Sequence, residues 1–123
     1  MTTLGQQMRA ARLEDRAAPR PDVLAAVLAA TATGVPVTYG SLPGGLHNLG
    51  RNLAAVTAWA FLRALPPICA YIVNARTGEP SEGFYRDLEP FGGLPMTDGV
   101  VDRPRTLAWA RAECAAYFER TED

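Results

Sequence analysis

The stretch Pro66–Gly83, PPICAYIVNARTGEPSEG, limits what this chain can fold into more than any other. Ile68 to Val73 is an unbroken apolar run rich in β-branched and aromatic residues, bounded by Pro-Pro and Asn74. That pattern predicts a buried central strand, with Ile68, Ala70 and Ile72 on one face and Cys69, Tyr71 and Val73 on the other. The glycines, proline and charges that follow predict a turn or wing, after which Phe84 and Tyr85 return toward the core. Such a strand needs a helix against it, and Leu46–Leu65 supplies one. Leu49, Leu53, Val56 and Ala60 form its apolar stripe, extended by Phe61 and Leu65, with Trp59 under the edge. Asn48, Arg51, Asn52 and Ala55 fall on the opposite side. The helix stops before Pro66 because a residue preceding proline avoids the α conformation.

The remaining elements read as support. Thr3–Ala18 has an amphipathic helical pattern through Leu4, Met8 and Ala11, ended by Pro19 and Pro21. Asp22 is the expected N-cap of a second helix whose face is Leu24, Val27, Leu28 and Thr31, closed by a left-handed Gly34. Residues 35–40, VPVTYG, alternate like a short strand, and Pro36 places it at an edge. SLPGG is a turn or a short helical step. Residues 86–102 are acidic and expected to be irregular, and Asp102 and Pro104 open a last helix. Its face is Leu107, Ala110, Cys114 and Phe118, flanked by Trp109 and Tyr117. The expectation is one α+β domain, mostly helical with a small two- to three-stranded sheet. It comprises an N-terminal helix (1–20), a core (22–85), an acidic loop (86–102) and a C-terminal helix (103–120).

Several functional classes drop out early. No apolar run approaches the roughly eighteen residues a membrane helix needs, and the N-terminus lacks the apolar centre of a secretory signal. A cytoplasmic protein with no membrane partner is expected. Cys69 and Cys114 then read as two buried free thiols, and two distant cysteines with one histidine match no metal-binding spacing. SLPGGL lacks the lysine and hydroxyl of a phosphate loop, so no cofactor is expected. His47 has no nearby nucleophile or orienting carboxylate to make it a general base. Cys69 sits in an apolar run rather than beside a cation, and Glu79 and Glu82 read as a solvated loop. The expectation is a non-catalytic protein, with an enzyme built on Cys69 as the outlying alternative.

Charge distribution suggests a partner. The net charge is −1, and every basic residue is arginine. No carboxylate occurs between Asp22 and Glu79, a span holding Arg51, Arg63 and Arg76. Glu79, Glu82, Asp87, Glu89, Asp98 and Asp102 gather after it. A helix showing Asn48, Arg51 and Asn52 near its N-terminus carries groups suited to base edges and phosphates, with His47 at its start. A turn bearing Arg76 and Thr77 would reach the backbone.

The residues VTYG at 37–40, the helix around Gly50-Arg51, PPICAYIVN, and then TG and GFY together resemble the winged-helix DNA-binding domain of DNA alkyltransferases and alkyltransferase-like proteins. The likeness covers Val35 to Tyr85. It implies a winged helix–turn–helix, with Arg51 as the helix arginine that enters DNA, Tyr39 close to the DNA backbone, and Cys69 where the family's reactive cysteine lies. Ala70 and Tyr71 stand where the family has His-Arg, so the resemblance implies binding without alkyl transfer. The wider pattern LPPICAYIVNARTGEPSEGF is also similar to small bacterial proteins of unassigned function. The expected function is a regulatory or accessory protein binding duplex DNA through Tyr39, His47, Asn48, Arg51, Asn52, Arg76 and Thr77. The alternative is a protein-interaction module, an accessory, immunity or inhibitor subunit using the 79–102 segment and the terminal helices. A homodimer or a protein partner fits either.

Overall fold

The structure is a computed structural model that describes residues 18–44 and 48–122. His47 and all but the end of the expected 3–18 helix lie outside the described residues. The first helix, α1 (Pro21–Thr33), starts with proline at its first position, where a missing N–H costs nothing. The N-cap position therefore falls to Arg20, not to the expected Asp22. The Asp22 carboxylate instead accepts from Val23 N at 2.9 Å and from Arg20 Nη2 at 2.6 Å. Gly34 ends the helix at φ +70° as expected, its N–H bonded to Ala30 O. The buried face is Val23, Val27, Ala30 and Thr31. It is turned by about one residue from the expected stripe, and Leu24 and Leu28 are only half-buried.

The strand predicted at 35–40 shortens to β1 (Val37–Thr38), because Tyr39–Ser41 is already a 3₁₀ turn. Helix α2 (Leu49–Leu62) buries Leu49, Leu53, Val56 and Ala60 as the pattern predicts. Ala55, expected on the outer side, is buried as well. After Arg63 the chain turns through Ala64 at φ +57°, and Leu65 N bonds back to Ala60 O at 2.9 Å. That left-handed residue breaks the helix ahead of Pro66.

The largest departure is at the apolar run. Ile68–Tyr71 is a buried 3₁₀ helix, and only β2 (Ile72–Val73) is extended, pairing parallel with β1 through Val37↔Ile72 and Thr38↔Val73. The alternation of faces therefore fails, and all six residues are buried. The reason lies in the backbone polar groups. The first four residues of the run, Ile68–Tyr71, are packed among three helices, and among the described residues no strand pairs with them. Their carbonyls are satisfied locally and by side chains: Thr31 Oγ1 donates to Ile68 O at 2.7 Å and Arg111 Nε to Ala70 O at 3.2 Å. The Cys114 thiol lies 3.4 Å from Pro67 O.

Asn74 then closes a compact turn. Its Oδ1 accepts from Arg76 N at 2.8 Å, its carbonyl accepts from Gly78 N at 2.8 Å, and its N–H donates to Glu79 O at 2.9 Å. The chain continues not into a second strand but into α3 (Glu82–Asp87), which buries Phe84. Residues 86–102 are not irregular as expected. They hold the end of α3, the buried Leu88, a 3₁₀ turn at Glu89–Phe91, and a hairpin. In that hairpin β3 (Met96–Thr97) pairs antiparallel with β4 (Val100–Val101) across Asp98-Gly99, both at positive φ. That is the backbone a two-residue hairpin turn requires. Asp102 caps α4 (Arg103–Glu122) as expected, its Oδ1 accepting from Arg105 N at 3.1 Å. The architecture is α+β, mostly helical, with two small two-stranded ladders among the described residues. Among the described residues no helix is long and apolar enough to cross a membrane.

Candidate functional site

The packing of α2, β2 and α3 leaves a cavity of about 470 Å³. The buried part of its wall comes from residues the sequence pattern assigned to the core, Leu49, Leu53, Cys69, Ile72 and Phe84, together with Thr57, which that pattern did not pick out. Its exposed part is polar and carries Asn74, Ser81 and Arg86, with the half-buried Tyr39 and Asp87. A cavity of this size, apolar inside and polar at the edge, suits a small molecule or a single aromatic group.

Tyr39 ties two walls together. Its hydroxyl accepts from Ser81 N at 2.7 Å and lies 3.1 Å from Ser81 Oγ, joining β1 to the start of α3. Gly50 sits in the first turn of α2 and lines the cavity. A Cβ built there would meet nothing within 4 Å, so the helix backbone is left open to an occupant. Inside, the Cys69 thiol lies 3.4 Å from Thr57 Oγ1 and 3.8 Å from Leu53 O. Burial pushes this thiol up to about 12, with the Asp87 carboxylate adding to the rise and the Thr57 hydrogen bond opposing it. At neutral pH it is protonated and a poor nucleophile. Cys69 and Cys114 are both free and buried.

The predicted contact residues divide around this cavity. Arg51 and Arg76 are exposed, each next in sequence to a lining residue, Gly50 and Ala75. Neither arginine side chain forms an ion pair or hydrogen bond with the described residues. Asn48 is exposed at φ +54° and precedes α2, while Asn52 is half-buried on its first turn. Thr77 is exposed, but its hydroxyl is occupied in the turn, accepting from Glu79 N at 3.2 Å. Tyr39 lines the cavity with its hydroxyl engaged by Ser81. Arg86, Asp87 and Ser81 were not picked out from the sequence as site residues. The glycine inside an apolar helix, at position 50, was the one available signal for the cavity, since glycine there costs about 1 kcal/mol relative to alanine.

Among the described residues no group of three or more His, Cys, Asp or Glu side chains is placed to hold a metal ion. Comparison with protein-family models, with curated proteins and with solved structures finds no match for this chain.

Proposed function

We propose that this protein binds nucleic acid, duplex DNA in the first instance, and receives one extruded base in the cavity beside α2. The observation that carries this reading is the position of the cavity mouth. The lining residues Gly50 and Ala75 are chain neighbours of the exposed Arg51 and Arg76. Arg86 in the lining is a cationic group at the opening that suits a backbone phosphate, and the apolar interior suits a base taken out of its stack. In this reading α2 is the recognition helix of a winged-helix-like domain, and the Asn74–Glu79 turn acts as the wing. That turn departs from a hairpin wing in closing on itself through Asn74. The protonated Cys69 favours binding over transfer of a group to sulfur.

A salt-titrated gel-shift assay on mixed duplex DNA tests the binding step. Wild type should bind at about 50 mM salt and weaken steeply as salt rises, with Arg51→Ala losing most of the affinity. A duplex carrying 2-aminopurine tests the base step, since unstacking brightens that base. Gly50→Leu should keep the shift and lose the fluorescence gain. Absence of any shift by wild type at low salt defeats the proposal.

A second reading, a protein-interaction module, draws on a different observation. Met96 and Val100 on the hairpin are large apolar side chains left exposed, next to the exposed Asp98. A sizing column run on the full chain, with and without Val100→Asp, separates it: a concentration-dependent dimer abolished by the substitution favours this reading.

A further inference from the structure

We propose that a second site, where α2 ends and α4 passes, binds an organic cation. A groove of about 270 Å³ lies there, lined by Leu65, Pro66, Phe91, Trp109, Glu113 and Tyr117 among others. It shares no residue with the cavity described above and does not rest on the nucleic-acid proposal. Trp109, Glu113 and Tyr117 recur every four residues and so lie along one face of α4. Phe91 comes from the turn after α3, and Leu65 and Pro66 from the end of α2.

Two features specify the ligand class. The three aromatic residues are half-buried. The exposed Glu113 is the one charged side chain in the lining. Elsewhere in the protein three aromatic rings are already covered by a cation. Arg63 lies 4.5 Å from the Trp59 ring centre, Arg103 lies 5.0 Å from Tyr85, and Arg111 lies 5.2 Å from Tyr71. Among the described side chains no arginine takes that place over Phe91 or Trp109; Phe91 meets the Phe61 ring edge-on at 5.2 Å between centres, and Tyr117 meets Phe118 at 5.3 Å. Aromatic faces attract a cation through their quadrupole, and a carboxylate at the rim repels anions and adds attraction for a positive head group. A quaternary ammonium or guanidinium group fits both. It would arrive either as a free small cation or as a basic side chain on a partner.

The test follows the Trp109 indole N–H resonance in the full chain, with the Trp59 indole as an internal control. The probe is tetramethylammonium chloride against sodium chloride at matched ionic strength. Neopentyl alcohol serves as the neutral isostere. The expected result is a saturable shift at Trp109 with tetramethylammonium alone, weakened about two- to fivefold by Glu113→Gln, the size of an exposed cation–π or rim-charge contribution. A tripeptide with one trimethyl-lysine separates the sources: tighter binding than the free cation assigns a partner side chain, and equal binding a free ligand. The proposal is overturned by a flat tetramethylammonium titration, by an equal response to the alcohol, or by an unchanged affinity in Glu113→Gln. Glu113 is exposed, so its substitution leaves the fold intact.

Discussion

The two buried thiols should make the protein lose stability at alkaline pH. Burial pushes Cys69 from an ordinary value of 9.0 up to about 12. It does the same to Cys114, with the neighbouring Cys69 and Glu113 contributing. An acid whose folded-state pKa lies above its unfolded value keeps its proton longer in the folded chain. Below about pH 9 both states are protonated and the full stability is present. As pH rises from about 9 toward about 12 the unfolded chain ionises first, so stability falls through that window. Each thiol contributes at most about 1 kcal/mol per pH unit, so the pair gives a slope on the order of 2 kcal/mol per unit. That is a large fraction of the roughly 5–15 kcal/mol that holds a domain together.

Urea denaturation under reducing conditions at about pH 8, 9 and 10 reads the effect. With a denaturant slope of about 1–3 kcal/mol per molar, the midpoint should fall by roughly 1 M between pH 9 and pH 10. Tyr71 and Tyr85 are also raised, mainly by burial, and act in the same direction. A Cys69→Ala, Cys114→Ala double variant isolates the thiols. It should be less stable at about pH 8, because each substitution removes buried volume, yet lose stability less steeply above pH 9. A wild-type slope below about 0.5 kcal/mol per pH unit refutes the reasoning, and so does a double variant that keeps the wild-type slope.

Two further substitutions probe the frame of the cavity. Thr31→Val keeps the shape of a buried side chain but removes the hydroxyl 2.7 Å from Ile68 O. It should cost about 1–3 kcal/mol in chemical denaturation, while Thr31→Ser costs less, and a neutral Thr31→Val removes the account of the buried 3₁₀ turn. Tyr39→Phe releases the exposed link to Ser81 and should cost no more than about 1 kcal/mol of stability. Its consequence should appear instead as faster hydrogen exchange at the Ser81 amide, and unchanged exchange there contradicts the link.

Helices α1, α2 and α4 were legible because each repeats over several turns, while the six-residue α3 was not expected. Gly34 and Asp102 stop and start helices for reasons contained in single residues, and both act where the chain places them, whereas α2 ends at Leu62, ahead of the stop expected at Pro66, because Ala64 turns left-handed. The apolar run Ile68–Val73 was misread for a physical reason. A continuous apolar stretch reports burial on all sides, and a strand is only one way to satisfy that. What decides between strand and 3₁₀ turn is where the carbonyls find donors. Here the donors are Thr31, Arg111 and Cys114, distant in sequence and indistinguishable there from ordinary helix residues.

The same logic explains why the cavity was hidden while its neighbours were not. Arg51 and Arg76 stood out because charge in an acid-free span is a sequence property. The cavity is a property of mismatch: Gly50 offers no side chain, and Tyr39 holds the start of α3 at a fixed place by bonding Ser81 forty-two residues away. If Tyr39 were a surface residue aimed at a ligand backbone, its hydroxyl would be free to solvent. Bound to Ser81, it acts on any ligand through the shape of the wall it fixes. Under the proposed function, contact chemistry falls to Asn74, Ser81, Arg86 and Asp87 in the lining, with Arg51 and Arg76 one residue along the chain from Gly50 and Ala75.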